Sequence, residues 1–151
     1  MRRGIVVAAG ATASLAVLAP SSPALNGPGT ISITDRSTQH GHVDLGRAGK
    51  SIGDIDVYKV ALFNKRITPK PIGRGEMVCI STGTHSQNCS ATYFLPRGEL
   101  VAQGSIGSRL IYELPVVGGT RLYFGVRGTL TVTSLQQKPA RELLVFRLVV
   151  T

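Results

Sequence analysis

Past Ala24 the chain reads as a succession of short alternating runs. "TISITDRST", "DIDVYKVALFN", "GEMVCIST", "SATYFLP", "ELVAQGSI", "LIYELPVV", "TRLYFGVRGTLTVTSL" and "ELLVFRLVV" are rich in Val, Ile, Leu, Tyr, Phe and Thr, and Gly, Pro or Asn separate them. A period of two is what a strand with one buried face requires, and β-branched and aromatic residues suit the pleat. No sustained i, i+3, i+4, i+7 apolar stripe occurs in this part, so the domain is predicted to be almost entirely β. The clearest alternation puts Leu122, Phe124, Val126, Leu130 and Val132 on one parity and Arg121, Tyr123, Arg127, Thr129, Thr131 and Thr133 on the other. It predicts one long strand with an apolar and an amphipathic face, and leaves open which of them points inward.

Turn chemistry agrees with this reading. "LPRGEL", Leu95 to Leu100, sets a fixed φ and then a glycine between two strands, which suits a tight hairpin. "KRITPKPIGRG", Lys65 to Gly75, carries two prolines that deny a central strand its donors, and is predicted to be an exposed connection, placed over the mouth of any barrel the strands form. The Gly118-Gly119 pair in "ELPVVGGTRLYFGVRG" raises the question of a phosphate loop. Such a loop needs G-x-x-x-x-G-K-[ST] opening a helix, whereas here no Lys-Ser or Lys-Thr follows and the next residues alternate. The glycines are predicted to turn the chain.

The N-terminus has a different character. Arg2 and Arg3 precede the uncharged run Ile5 to Ala19 and a small-residue patch ending Ser22-Pro23-Ala24. This is the layout of a secretory signal peptide, residues 1–24 with cleavage near Ala24. The apolar run is too short for a membrane-spanning helix, which needs roughly 20 residues, and no later segment is apolar enough to span. Residues 25–29 form a short leader and 30–151 a single domain, secreted or otherwise extracytoplasmic. The net charge of +9 favours contact with acidic surfaces. Nucleic-acid binding is not expected, because no run of four basic residues occurs, tryptophan is absent and the aromatics are not interleaved with a basic stripe.

Two cysteines, Cys79 and Cys89, flank a Gly-, Ser-, Thr-, Asn- and Gln-containing segment. An even count in an exported chain predicts a disulfide closing a β-hairpin, and the absence of C-x-x-C spacing argues against a thiolate metal site. His40 and His42 in "QHGH" lack a third ligand in the sequence and are expected in a solvated loop, so no metal is predicted.

"ELPVVGGT", an aromatic and then "VRG" resemble the signature of the dirigent and allene oxide cyclase-like barrel superfamily, and "GDIDVYKVALFN", "GRGEMVCIS", "CSATYFLPRGELVAQG" and "ELLVFRLV" follow in that family's order. The resemblance covers roughly Thr30 to Val150. It implies a closed antiparallel β-barrel of about eight strands, often a homotrimer, with an apolar lumen that takes a small hydrophobic ligand and uses no metal or organic cofactor. Relatives steer the cyclisation, isomerisation or coupling of a reactive intermediate, so an activity here would be that of a cofactor-free isomerase or cyclase. The family's aspartate at the end of the first strand falls on Asp35 and the arginine of its A-R-G motif on Arg127. Together they would form a lumenal acid-base and oxyanion pair, unless they serve only structure. Tyr58, Tyr93, Tyr112 and Tyr123 are candidates for lining the lumen, with Tyr58, Tyr93 and Tyr123 as ligand contacts. Two departures stand out: Arg121 replaces the second glycine of G-T-G, and the first strand lacks the glutamate and asparagine of allene oxide cyclases. A non-catalytic ligand carrier, a module binding an envelope polymer and a solid scaffold are the competing readings.

Overall fold

A computed structural model describes residues 25–64, 70–136 and 140–150. The predicted signal peptide and residues 65–69 of the connection expected over Lys65 to Gly75 lie outside the described residues, and the last three residues of that stretch, Gly73 to Gly75, open a strand and are not part of a connection. The rest is β, as the alternation predicts. Strands β1 (Gly29–Val43), β2 (Ile55–Asn64), β3 (Gly73–Ser81), β4 (Ser86–Leu95), β5 (Gly98–Gly107), β6 (Ile111–Gly119), β7 (Val126–Ser134) and β8 (Arg141–Val150) follow one another around a closed barrel. Every neighbouring pair is antiparallel, and β1 closes on β8 from Gly29↔Leu148 to Arg36↔Arg141. Closure leaves no unpaired sheet edge at that seam. Among the described residues, no helix is long and apolar enough to cross a membrane.

Alternation decides what fills the barrel. Leu62, Leu100, Leu130, Leu144, Phe146 and Leu148 are almost wholly buried inside one end, with Ile33, Val116 and Val126 beside them. Each such side chain contributes about 1.5–3 kcal/mol by leaving water. At the other end β1 and β2 continue past the barrel wall as a two-stranded ribbon, because β1 pairs with β2 as far as Val43↔Ile55 while its pairing with β8 stops at Arg36. The connection beyond the ribbon is fixed by buried Asp54, which accepts hydrogen bonds from Leu45 N, Ser51 N and Ser51 Oγ.

Cys79 and Cys89 are paired across β3 and β4 and form the expected disulfide, with 4.1 Å between their Cα atoms. Closing so short a loop contributes roughly 2–3 kcal/mol through the unfolded chain. One ladder is incomplete: β5 and β6 share only the partners Leu100↔Gly119, Val101↔Gly118 and Ala102↔Val116, with an irregularity between Val101 and Ala102. Pro115 is the next residue along β6 toward the ribbon end, and it has no N–H to give.

The glycine pair closes β6 and turns the chain. A side chain at Gly119 would collide with the Glu99 carbonyl of β5 and with Tyr123, so only glycine lets the two strands and the turn meet there. The following segment departs from the single long strand expected. Arg121–Tyr123 form one 3-10 turn, Phe124 is 72% exposed, and β7 starts only at Val126. The chain must reverse between β6 and β7, and the reversal uses Arg121 in the left-handed region, at φ 53°. That conformation costs a side-chain-bearing residue about 1–2 kcal/mol relative to glycine, part of which glycine's greater freedom in the unfolded chain offsets. Arg121→Gly is therefore expected to stabilise the protein by about 0.5–1 kcal/mol in urea or thermal unfolding. A loss of stability would show that contacts of the arginine side chain hold the turn.

Candidate functional site

The packed end of the barrel gives way, toward the ribbon, to a cavity of about 420 Å³, within the range of small-molecule sites. It is bordered inside by Asp35, Tyr58, Met77, Tyr93, Tyr112 and Glu142, and where it meets solvent by His40, Gln87, Ala140 and Arg141. Space is left partly by Gly75. A β-carbon there would come within 2.7 Å of Val60 and 3.2 Å of the Tyr93 ring, so the missing side chain is what lets that ring lie against β3. Tyr93 in turn packs edge-on against Phe146, with ring centroids 5.1 Å apart, and this fixes the floor of the cavity.

Two acids face this space side by side. Asp35 on β1 and Glu142 on β8 are register partners in the ladder that closes the barrel, and the Glu142 amide donates a 3.0 Å hydrogen bond to Asp35 Oδ1. Burial, with the Glu142 carboxyl beside it, pushes Asp35 up to about 7, although the Glu142 N–H bond acts the other way. Burial pushes Glu142 upward as well. Among the described residues neither acid has an ion-pair partner. The cavity tyrosines are held above their ordinary value first by burial, then in Tyr58 by Asp56 and Glu142 and in Tyr93 and Tyr112 by these carboxyls and another tyrosine, so they remain hydrogen-bond donors. A carboxyl poised near neutrality can both take and return a proton, and phenol donors near it can stabilise developing oxyanion charge.

The rim is a second polar cluster. His40 Nε2 lies 3.0 Å and His42 Nδ1 2.9 Å from the same oxygen of Asp56, while Gln87 Nε2 donates to the other oxygen at 2.8 Å. His40 also stacks on Tyr58, with centroids 4.5 Å apart. Both histidines lie on β1 and not in a solvated loop, because the ribbon carries β1 beyond the barrel wall. Burial raises Asp56, but the bonds from His42, His40 and Gln87 outweigh it and hold it low. The bond to Asp56 raises His42. Among the described residues no His, Cys, Asp and Glu group is arranged to hold a metal ion.

The candidate residues are thus divided. Asp35, Tyr58 and Tyr93 border the cavity, and Cys79 stands in its wall as half of the disulfide. Asp35 lies within β1, which runs eight residues beyond it, and not at the strand's end. Arg127 is exposed on the outer face of β7, where its guanidinium donates to the Val117 carbonyl; the buried neighbours Val126 and Leu130 take the inner parity. Asp35 and Arg127 consequently stand on opposite sides of the wall. Tyr123 is buried at the far end, against the β6–β7 turn, and does not border the cavity. Glu142 was not singled out from the sequence, although it shares the parity of Leu144, Phe146 and Leu148, which could have marked it as inward-facing.

No family model matches the sequence, and no match is found among curated proteins. Solved structures do match. A pyocyanin demethylase superimposes with a TM-score of 0.66 at 24% identity, over 76% of this chain and 97% of that one. A pterocarpan synthase dirigent protein gives 0.65 at 14% identity over 93% and 98%, and a Diels Alderase from Streptomyces koyangensis 0.59 at 17% over 80% and 67%. The likeness is one of fold: these proteins share the closed antiparallel β-barrel with this chain.

Two outcomes follow from the titrating groups. Asp35 has a folded-state pKa above its ordinary 3.8. Its ionisation therefore costs the folded protein nothing below that value, an increasing amount as pH rises toward about 7, and on the order of 4 kcal/mol beyond. Asp35→Asn keeps the acceptor for Glu142 N–H and is expected to be more stable than the parent by about 2–4 kcal/mol at pH 8 and no more stable at pH 3, read by urea unfolding at each pH. Equal effects at both values would show that Asp35 is not held protonated. His42 behaves oppositely: its stabilising bond is complete below 6.5 and is lost as pH rises through the raised folded value. Amide protection in the ribbon, corrected for intrinsic exchange, is expected to fall over that rise, and the fall should vanish in His42→Asn.

Proposed function

We propose that this protein binds a small hydrophobic, polycyclic molecule in its lumen and steers its cyclisation or isomerisation by moving a proton, without a cofactor. The observation that carries this reading is the Asp35–Glu142 pair, two acids without a counter-ion among the described residues, facing a cavity whose inner wall also holds Tyr58, Tyr93, Tyr112 and Met77. A structural role alone would favour burying apolar side chains there, since ionisable groups out of water oppose folding. In the proposed cycle Asp35, as carboxylate, accepts a proton from the bound molecule; Glu142 shares it across the pair; and the proton returns to a different atom of the same molecule. Tyr58, Tyr93 and Tyr112 hold the oxygen on which charge develops. The packed floor and aromatic walls restrict the ligand to one pose, an effect of orientation. The similarity to dirigent and Diels Alderase barrels supports a role in steering ring closure or coupling. The disulfide and the signal-like start support an extracytoplasmic location.

The test begins with native mass spectrometry of the protein from its natural source and identification of the released compounds. Wild-type protein in D2O is expected to exchange deuterium into the recovered compound or convert it, and Asp35→Asn should slow this by roughly 10²–10⁴-fold while still binding. Binding without exchange or conversion would mark a carrier. An empty barrel that ignores a panel of oily compounds would leave an interaction scaffold.

A further inference from the structure

The charge balance of the cavity bears on what enters it. The chain is strongly basic overall, at +9, yet two carboxyls, Asp35 and Glu142, border the inside of the lumen. Asp35 comes from β1 and Glu142 from β8; facing them are Tyr58 from β2, Tyr93 from β4 and Tyr112 from β6, all donors or neutral. The other titratable side chains at the cavity, His40, Glu76 and Arg141, belong to the border. Glu76 is engaged by Arg74, and His40 by Asp56. Arg141 borders the cavity but pairs with neither acid, and its buried Nε has no hydrogen-bond partner. A positive charge placed between Asp35 and Glu142 would therefore meet the lumen's only two unpaired acids among the described residues, with aromatic faces around it.

We propose that the lumen selects a planar aromatic ligand carrying a positive charge or a basic nitrogen, seated against the Asp35 and Glu142 carboxyls. This rests on the reading of the cavity as a ligand site and names its ligand class. Neutral polycycles satisfy the apolar walls but leave both acids without a partner, and carboxylate ligands repel them. The outer surface, being basic, does not attract cations, so a preference for them would come from the lumen. Binding a cation favours the ionised carboxyls and must release protons when the pair is partly protonated beforehand.

The probes are 9-aminoacridine as the cation, anthracene-9-methanol as its neutral counterpart and anthracene-9-carboxylate as the anion, titrated by fluorescence against the intact protein. At pH 8 the cation is expected to bind at least tenfold more tightly than either of the others. Its affinity should fall toward pH 5, and calorimetry in buffers of different ionisation enthalpy should show proton release. Asp35→Asn with Glu142→Gln should remove the preference while retaining the neutral probe. Should the double variant not fold, Asp35→Asn alone and proton release by the wild type decide the matter. Equal binding of cation and neutral probe, or proton uptake, overturns the charge selection and leaves the pocket standing. Tightest binding by the anion overturns it in favour of Arg141. Binding by no probe overturns the ligand-site reading, and the charge selection with it.

Discussion

The ladder between β1 and β8 is the contact on which the rest depends. It joins residues more than a hundred positions apart, for example Asp35 and Glu142, and without it the sheet would be an open meander with two raw edges. Closing it fixes the parity of every strand in turn, since a slip of one residue would move a whole apolar row to the solvent. The same hydrogen bonds that close the barrel set two acids next to each other. Site and closure are one feature of the structure.

From that constraint the division of the lumen follows. At one end large apolar side chains meet in the middle and exclude a cavity. At the other, Gly75 withdraws a side chain, Pro115 interrupts the β5–β6 ladder, and the ribbon carries β1 away from β8, so the wall widens where the acids stand. The apolar floor, the disulfide across β3 and β4 and the Asp54-centred connection compensate for groups that oppose folding near the mouth. A carboxyl pair held between ordered strands, Asp35 buried and Glu142 half-buried, is preorganised: its orientation is set by folding.

Much of this architecture is legible in the sequence, because period-two alternation, turn residues and an even cysteine count each report a local constraint. The all-β character and the Cys79–Cys89 disulfide are of this kind. What is not legible depends on distant partners. Arg127 and Asp35 align with a family pattern, yet the inner parity of β7 is set by Val126 and Leu130 packing against other strands, which a single strand cannot announce. Glu142 is hidden because a glutamate opening an apolar run looks like a solvent-facing start; its inward position depends on β8 pairing with β1. The alternation at Leu122 and Phe124 continues in the sequence through a segment that turns in space, because a left-handed Arg121 carries no mark in its side chain.

The likeness to barrels described by quite different reactions means that the fold does not fix the chemistry, and any reading of it must rest on the particular residues of the cavity. Here, among the described residues, acids and phenols border the cavity inside, Arg141 stands where it meets solvent, and Arg127 lies on the outer wall. An arginine in the lumen would hold Asp35 ionised and turn the site toward anionic intermediates. Its place on the outer wall leaves the carboxyls to share protons with each other. The parity of β7 thus has a chemical consequence: by turning Arg127 outward, it leaves Asp35 near neutrality, where a small change in the charge of what lies in the cavity shifts its proton most.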